Sequence, residues 1–407
     1  MKTMYDVYKI RRDFPILSLT INGKPNVFLD SAASAQKPSK VIETMHHLYM
    51  NEYANVHRGS YYLSEQITSA YEEARSRIHQ FLNTKSDKEI VFVRNATEGI
   101  NLVAATWGKK FLKAGDEVLI SEAEHHANLV PWQMLRDELG ITLKIFKISD
   151  EGEYLEEEYL KLLSEKTKLV AVTGMSNVLG TVFPIKKMAE QAHQNGALFL
   201  VDACQYAVHQ KVDVQDLDCD FLVFSGHKLY GPSGIGVLYG KYNVLDSMPP
   251  YQFGGDMVDT VTYEKATFNE PPFRFEAGTP AIMQAIGLGE AIKYISSLSM
   301  ENIFKHEQEL TTYTTNALSE IKGLKIIGQA KDKGGVFSFN VEGMHPQDLA
   351  FILDKEGVSV RTGHHCAQPI VNRMGYESLA RASLGLYSTK EDIDALVAAI
   401  RKAQKFF

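Results

Sequence analysis

Cysteine is scarce in this chain, at 3 of 407 residues: Cys204, Cys219 and Cys366. That excludes a disulfide framework, and no two of them have the CxxC spacing of a zinc site. Long apolar runs are missing, since none approaches the roughly 18 residues that a membrane helix needs. An excess of positive charge is missing as well. The net charge of -7 leaves no footprint for nucleic acid or for an anionic membrane surface. The first residues, Met1 to Asp6, lack the apolar core of a secretory signal. Internal repeats and low-complexity segments are also absent. Together these absences point to a reducing, cytoplasmic setting, where a free thiol stays available for chemistry.

The rest of the composition is ordinary for a soluble protein, with 44% hydrophobic and 23% charged residues. The length suits one large α/β domain plus a smaller one. From about residue 90, short apolar runs alternate with longer helical patterns. Runs at 90–93, 118–120, 169–172, 198–201, 221–224 and 235–239 predict strands, and helices are expected near 97–113, 129–139 and 185–195. Such alternation predicts βαβ units and a mostly parallel sheet with helices on both faces. Residues 246–280 hold Pro249-Pro250, Gly254-Gly255 and Pro271-Pro272, and predict an irregular connection of functional length. Helices follow near 281–296 and 300–321. The remainder reads as an α+β unit: strands near 325–328, 335–340 and 358–361, helices near 346–355 and 376–381, and a last helix at 390–404. The expected division is an N-terminal segment, 1–29, that packs with the small domain, a large domain over 30–289, and a small domain over 290–407.

In open α/β sheets, ligands bind at the carboxyl ends of the strands. Four segments sit there. Arg94-Asn95-Ala96-Thr97-Glu98-Gly99 opens a helix, where free N–H groups and the Thr97 hydroxyl suit an anion. Glu124-His125-His126-Ala127-Asn128 could place an imidazole over a planar ring. Asp202, followed by Gln205, is a carboxylate at a depth that demands a partner. Ser225-Gly226-His227-Lys228 puts a lysine at a strand end, suited to a Schiff base with an aldehyde cofactor whose phosphate lies beside Ser225 and His227. Taken alone, each has a plainer reading: an N-cap, a polar loop, a solvated lysine. The ordered set favours a cofactor site.

A fifth segment, Arg361-Thr362-Gly363-His364-His365-Cys366-Ala367, brings two histidines before a thiol. Adjacent His-His-Cys cannot easily surround one tetrahedral ion, so no metal site is expected. Glycine and polar neighbours suit a reactive Cys366 better than an inert buried one. Cys204 and Cys219 read as packing residues. Arg381 lies in a helical pattern and has the forked guanidinium that suits a substrate carboxylate.

These motifs, with Phe28-Leu29-Asp30-Ser31-Ala32-Ala33 and Asn55-Val56-His57-Arg58-Gly59, resemble fold-type I pyridoxal-phosphate (PLP) enzymes of the class-V aminotransferase group. More narrowly, they are similar to the SufS-type cysteine desulfurases, nearly end to end. The resemblance implies the PLP-dependent transferase fold and a cofactor held by Lys228. It implies that His125 stacks on the pyridine ring, Asp202 pairs with its nitrogen and Gln205 contacts its hydroxyl. Ala96, Thr97, Ser225 and His227 would hold the phosphate, and Thr279 would reach the phosphate in a neighbouring subunit of a homodimer. Arg381 would bind the carboxylate of L-cysteine, with Asn177 assisting and Arg58 and Arg361 nearby. Cys366 would take the sulfur as a persulfide, leaving alanine, and pass it to a dedicated sulfur-acceptor protein of the SUF pathway for iron–sulfur clusters. L-selenocysteine is an alternative substrate, ordinary transamination a further option, and a non-catalytic scaffold of a cluster-assembly complex the reading from another class. The chain departs from the family pattern at Tyr61, where many members carry histidine.

Overall fold

The computed structural model describes residues 5–406; the first four residues of the N-terminal segment and Phe407 lie outside it. Its centre is a seven-stranded sheet built from β1 (Ile90–Val93), β2 (Glu117–Ser121), β3 (Thr142–Phe146), β4 (Thr167–Thr173), β5 (Leu198–Asp202), β6 (Phe221–Ser225) and β7 (Gly236–Gly240). The strand order is β1-β7-β6-β5-β4-β2-β3. All neighbours run parallel except β7, which is antiparallel to both β1 and β6. Every residue of β1, β2, β6 and β7 is buried. Helices cover both faces, which is why these strands read as unbroken apolar runs. Two separate apolar cores fill the faces, one around Leu119, Val172, Phe199 and Leu222, the other around Val118, Leu169, Trp132 and Val223.

A four-stranded antiparallel sheet follows, with β8 (Leu324–Ile327), β9 (Val336–Val341), β10 (Arg361–Gly363) and β11 (Leu379–Ser383) in the order β8-β9-β11-β10. It has its own core with the closing helix Lys390–Ala403, and Val27 and Leu29 from the N-terminal segment join that core. Ile10, Phe14 and Leu17 pack instead into the first core of the large sheet. Arg11 spans the two regions by an ion pair to Asp392 at 2.8 Å.

Three sequence expectations are corrected. The pattern near 376–381 is no helix: Leu379-Ala380-Arg381-Ala382-Ser383 is β11, fully buried between β9 and β10. Burial inside a sheet overrides the helical preference of leucine, alanine and arginine. Strand β3 has no counterpart among the expected strands, because it is an edge strand with mixed exposure and a central Lys144. The 246–280 segment is not irregular throughout; it contains a hairpin of Val258–Val261 with Ala266–Phe268.

That segment is anchored by charge. Arg75, in helix Tyr62–Leu82, is 2% exposed and donates to both Glu276 oxygens at 2.8 and 2.9 Å. Glu276 also accepts the Phe92 N–H of β1 at 2.7 Å. A bidentate buried pair of this kind is costly to break from one side, about 3–5 kcal/mol.

Candidate active site

The carboxyl ends of β2, β4, β5 and β6 open into a cavity of about 410 Å³. Ser225 ends β6, and its Oγ accepts the Ala96 N–H at 2.9 Å, joining the strand end to the start of helix Ala96–Val103. Asn95 caps that helix through Oδ1, which accepts the Glu98 N–H at 2.9 Å. The turn to Lys228 requires glycine at 226, where a Cβ would lie 2.9 Å from Ile235 Cγ2 and 3.0 Å from its carbonyl oxygen. Lys228 thereby enters the cavity half-buried. Asp202, at the end of β5, is buried and accepts the Cys204 N–H at 3.0 Å. Gln205 is fixed by donation to the Ala32 carbonyl at 2.8 Å.

His125 lies between these groups. Its Nδ1 accepts the Ala127 N–H at 3.0 Å, so the neutral ring carries its proton on Nε2. Burial first, and the Lys228 ammonium second, push its pKa down to about 4, against the pull of Asp202. Burial and Lys228 likewise push His227 down to about 4. Beneath His125, Glu124 ties three elements together: it accepts from Ser121 Oγ at 2.5 Å, Asn128 Nδ2 at 2.8 Å and the Thr173 N–H at 3.0 Å. Burial raises the Glu124 pKa to about 8.

The other end of the cavity is cationic. Arg381 is 2% exposed. Its Nη1 donates to the Asn177 carbonyl at 2.9 Å, and its Nη2 lies 3.4 Å from Asp30 Oδ1. Its Nε is buried with no partner among the described residues. An orphaned guanidinium N–H beside a cavity marks a place for an anionic group. Arg361 is held against Asp30 by three contacts, at 3.2, 3.1 and 3.0 Å.

Cys366 lies at the rim and is exposed, whereas Cys204 borders the cavity floor and Cys219 is buried. Burial pushes the Cys204 thiol up to about 12 and raises that of Cys219 further. Both therefore stay protonated. His365 and Cys366 adopt φ of 53° and 55°, a left-handed conformation that costs non-glycine residues about 1 kcal/mol or more each. Asn177 Nδ2 donates to the His365 carbonyl at 2.7 Å, and the His126 N–H donates to the Cys366 carbonyl at 2.7 Å.

The fold thus brings together all the expected site residues except two. Arg58 is 70% exposed by side chain and pairs with Asp256 at 3.3 Å. It faces a separate cavity of about 230 Å³, so it is not near Arg381 within this chain. Thr279 borders another cavity, of about 470 Å³. Tyr61 is exposed just before helix Tyr62–Leu82 and does not line the site. Asp30, which pairs with Arg361 and Arg381, and Glu124, which braces the His125 turn, make contacts to which the sequence motifs assign no role. Asp30 ends a short apolar run, Val27 to Leu29, which is a usable signal. Glu124 is masked by the histidine beside it.

Comparison with known proteins identifies the family. The Aminotransferase class-V family model matches residues 27–396. The chain is 49% identical to the cysteine desulfurase of Synechococcus elongatus over 400 residues, covering 98% of this chain and 64% of that longer protein. It is 47% identical over 402 residues to a probable cysteine desulfurase of Halalkalibacterium halodurans, covering 99% of both. The apo structure of the cysteine desulfurase from Thermococcus onnurineus superposes with a TM-score of 0.95 at 37% identity and full coverage of both chains. No helix among the described residues is long and apolar enough to cross a membrane. A cationic pocket at parallel strand ends and a thiol on its rim are thus carried on a chain that belongs to the class-V aminotransferase family, alongside the cysteine desulfurases.

Proposed function

We propose that this protein is a PLP-dependent cysteine desulfurase that converts L-cysteine to L-alanine and keeps the sulfur as a persulfide on Cys366. The observation that carries the reading is the sharing of one cavity by Lys228, Arg381 and the exposed Cys366 thiol. The donor set fits PLP: a lysine amine, the buried Asp202 carboxylate, a neutral His125 ring, and the Ser225 hydroxyl with the Ala96 helix start. Asp202 would face the pyridine nitrogen and His125 the ring, with Thr97, Ser225 and His227 around the phosphate. When bound, the cofactor withdraws electrons from the substrate Cα.

The chain's own groups then divide the work. The free Nε of Arg381 donates to the substrate carboxylate, and Asp30 keeps both arginines oriented. Lys228 Nζ takes the α-proton. Cys366 Sγ, as thiolate, attacks the substrate sulfur; the new S–S bond forms as the Cβ–S bond breaks, and Cβ gains a proton to complete alanine. Atoms balance: L-cysteine and one thiol become L-alanine and one persulfide.

The biological reading follows the resemblance: a cytoplasmic homodimer of the SUF type, handing sulfur to a dedicated acceptor protein for iron–sulfur clusters. Thr279 and Arg58 support the dimer, since both line cavities walled by the 246–280 segment and separate from the Lys228 cavity, and that segment also exposes Phe253 and Tyr263. The third core, from Leu310 to Ala403 with Val27 and Leu29, supports a small domain within 290–407 joined by part of the N-terminal segment, although Ile292, Ile295, Met300 and Ile303 pack in the first core. Steady-state rates with L-cysteine and L-selenocysteine, with alanine and keto acid both quantified, test the function. Alanine without keto acid is expected. Keto acid as the main product means a transaminase, a strong preference for L-selenocysteine means a lyase, and a colourless protein means a scaffold.

A further inference from the structure

The Cys366 loop runs directly into a short helix, Gln368–Arg373, whose N-cap position is Ala367. Alanine has no side-chain acceptor, so its own sequence leaves this helix uncapped. The missing acceptor comes from elsewhere in the chain: His126 Nε2 accepts the Gln368 N–H at 3.0 Å. The His126 main-chain N–H meanwhile donates to the Cys366 carbonyl at 2.7 Å. His126 thus grips the thiol residue's carbonyl on one side and the residue two positions later on the other. It does so from the turn whose preceding residue, His125, faces the cofactor end. Beside these two bonds lies a backbone that two left-handed residues strain.

We infer that His126 is a positioning residue that holds the Cys366 loop in register with the cavity and thereby sets the rate at which the thiol collects sulfur. This rests on the desulfurase reading. A backbone N–H can only donate, so the bond to Gln368 requires an unprotonated Nε2. The titratable groups beside the ring are His364 on the thiol loop and His125 on its own turn. Partial burial first, and His364 second, lower the His126 pKa, which favours the acceptor form at neutral pH. Protonation places a donor against a donor and breaks the cap.

The test compares wild type, His126→Ala and His126→Gln, whose amide oxygen restores a non-titrating acceptor. Two readouts are taken on the PLP-loaded protein: α-proton exchange of L-alanine in heavy water, which needs the cofactor end and the carboxylate-binding Arg381 but not the thiol, and the single-turnover rate at which Cys366 gains sulfur from L-cysteine. H126A is expected to slow sulfur gain about tenfold, the size one hydrogen bond supports, with proton exchange unchanged. H126Q should restore the rate at pH 7 and remove the fall that wild type shows as acid protonates His126. Sulfur gain at the wild-type rate in H126A overturns the inference, as does an equal loss of exchange and sulfur gain in both variants. A wild-type protein that exchanges protons yet never gains sulfur at Cys366 overturns the desulfurase reading itself.

Discussion

At the cofactor end of the cavity, His125, Asp202 and Ser225–Lys228 leave the ends of strands buried on both faces. At the thiol end, Cys366 stands exposed on a loop in left-handed backbone, held by hydrogen bonds from Asn177 Nδ2 and the His126 N–H and by the Gln368 N–H donated to His126 Nε2. The first end cannot move without disturbing the sheet. The second is tied to the rest of the fold by a few hydrogen bonds. That division suits the proposed chemistry: the groups that tune charge at Cα must stay fixed, whereas the thiol must meet a substrate sulfur.

The sharpest way to break the comparison is to remove each end separately. Lys228→Ala should lower turnover of L-cysteine by on the order of 10³-fold, within the range that a positioned proton-transfer group supplies, and should abolish α-proton exchange. Cys366→Ala should abolish persulfide formation yet leave the visible cofactor band and α-proton exchange intact. Equal loss of both readouts in the two variants would mean that the ends are not independent.

Arg381 lies between the ends. Arg381→Ala should raise KM for L-cysteine about 10- to 100-fold, the scale of a charge-assisted hydrogen bond, as steady-state kinetics will report. Asp30→Asn should give a smaller rise, because it only loosens the hold on Arg361 and Arg381.

The smallest effects are in stability against pH. His125 and His227, with pKa values pushed to about 4, and His365, pushed to about 3 by burial, bind fewer protons folded than unfolded. Stability should therefore fall as pH drops below about 6.5, where unfolded histidines charge. Glu124 has the opposite sign. Its pKa, raised to about 8, means that the folded state holds an extra proton above the ordinary carboxyl range, so its contribution is lost as pH rises toward 8. Urea midpoints of wild type and Glu124→Gln at pH 5 and 8 check this: the variant should lose less stability between them.

The same contrast explains what is legible in the sequence. Parallel strands buried on both faces appear as short apolar runs, and their ends mark the ligand side, so the sequence alone places Thr97, His125, Asp202 and Lys228. For Arg381 the pattern points to the right purpose but the wrong element, because Leu-Ala-Arg-Ala-Ser favours a helix until two neighbouring strands claim it. The Asn177–His365, His126–Gln368 and Asp30–Arg381 contacts join residues far apart in the chain. No local pattern records them. Strand β3 leaves no clear signal because an edge strand need not be apolar.

One cavity brings the cofactor end and the exposed Cys366 thiol together. Mass spectrometry of the protein after a single turnover of L-cysteine tests this most directly. One added sulfur is expected on Cys366, none on Cys204 or Cys219, and one alanine released for each sulfur gained. Alanine released with no sulfur on Cys366, or sulfur found on Cys204 instead, would contradict it.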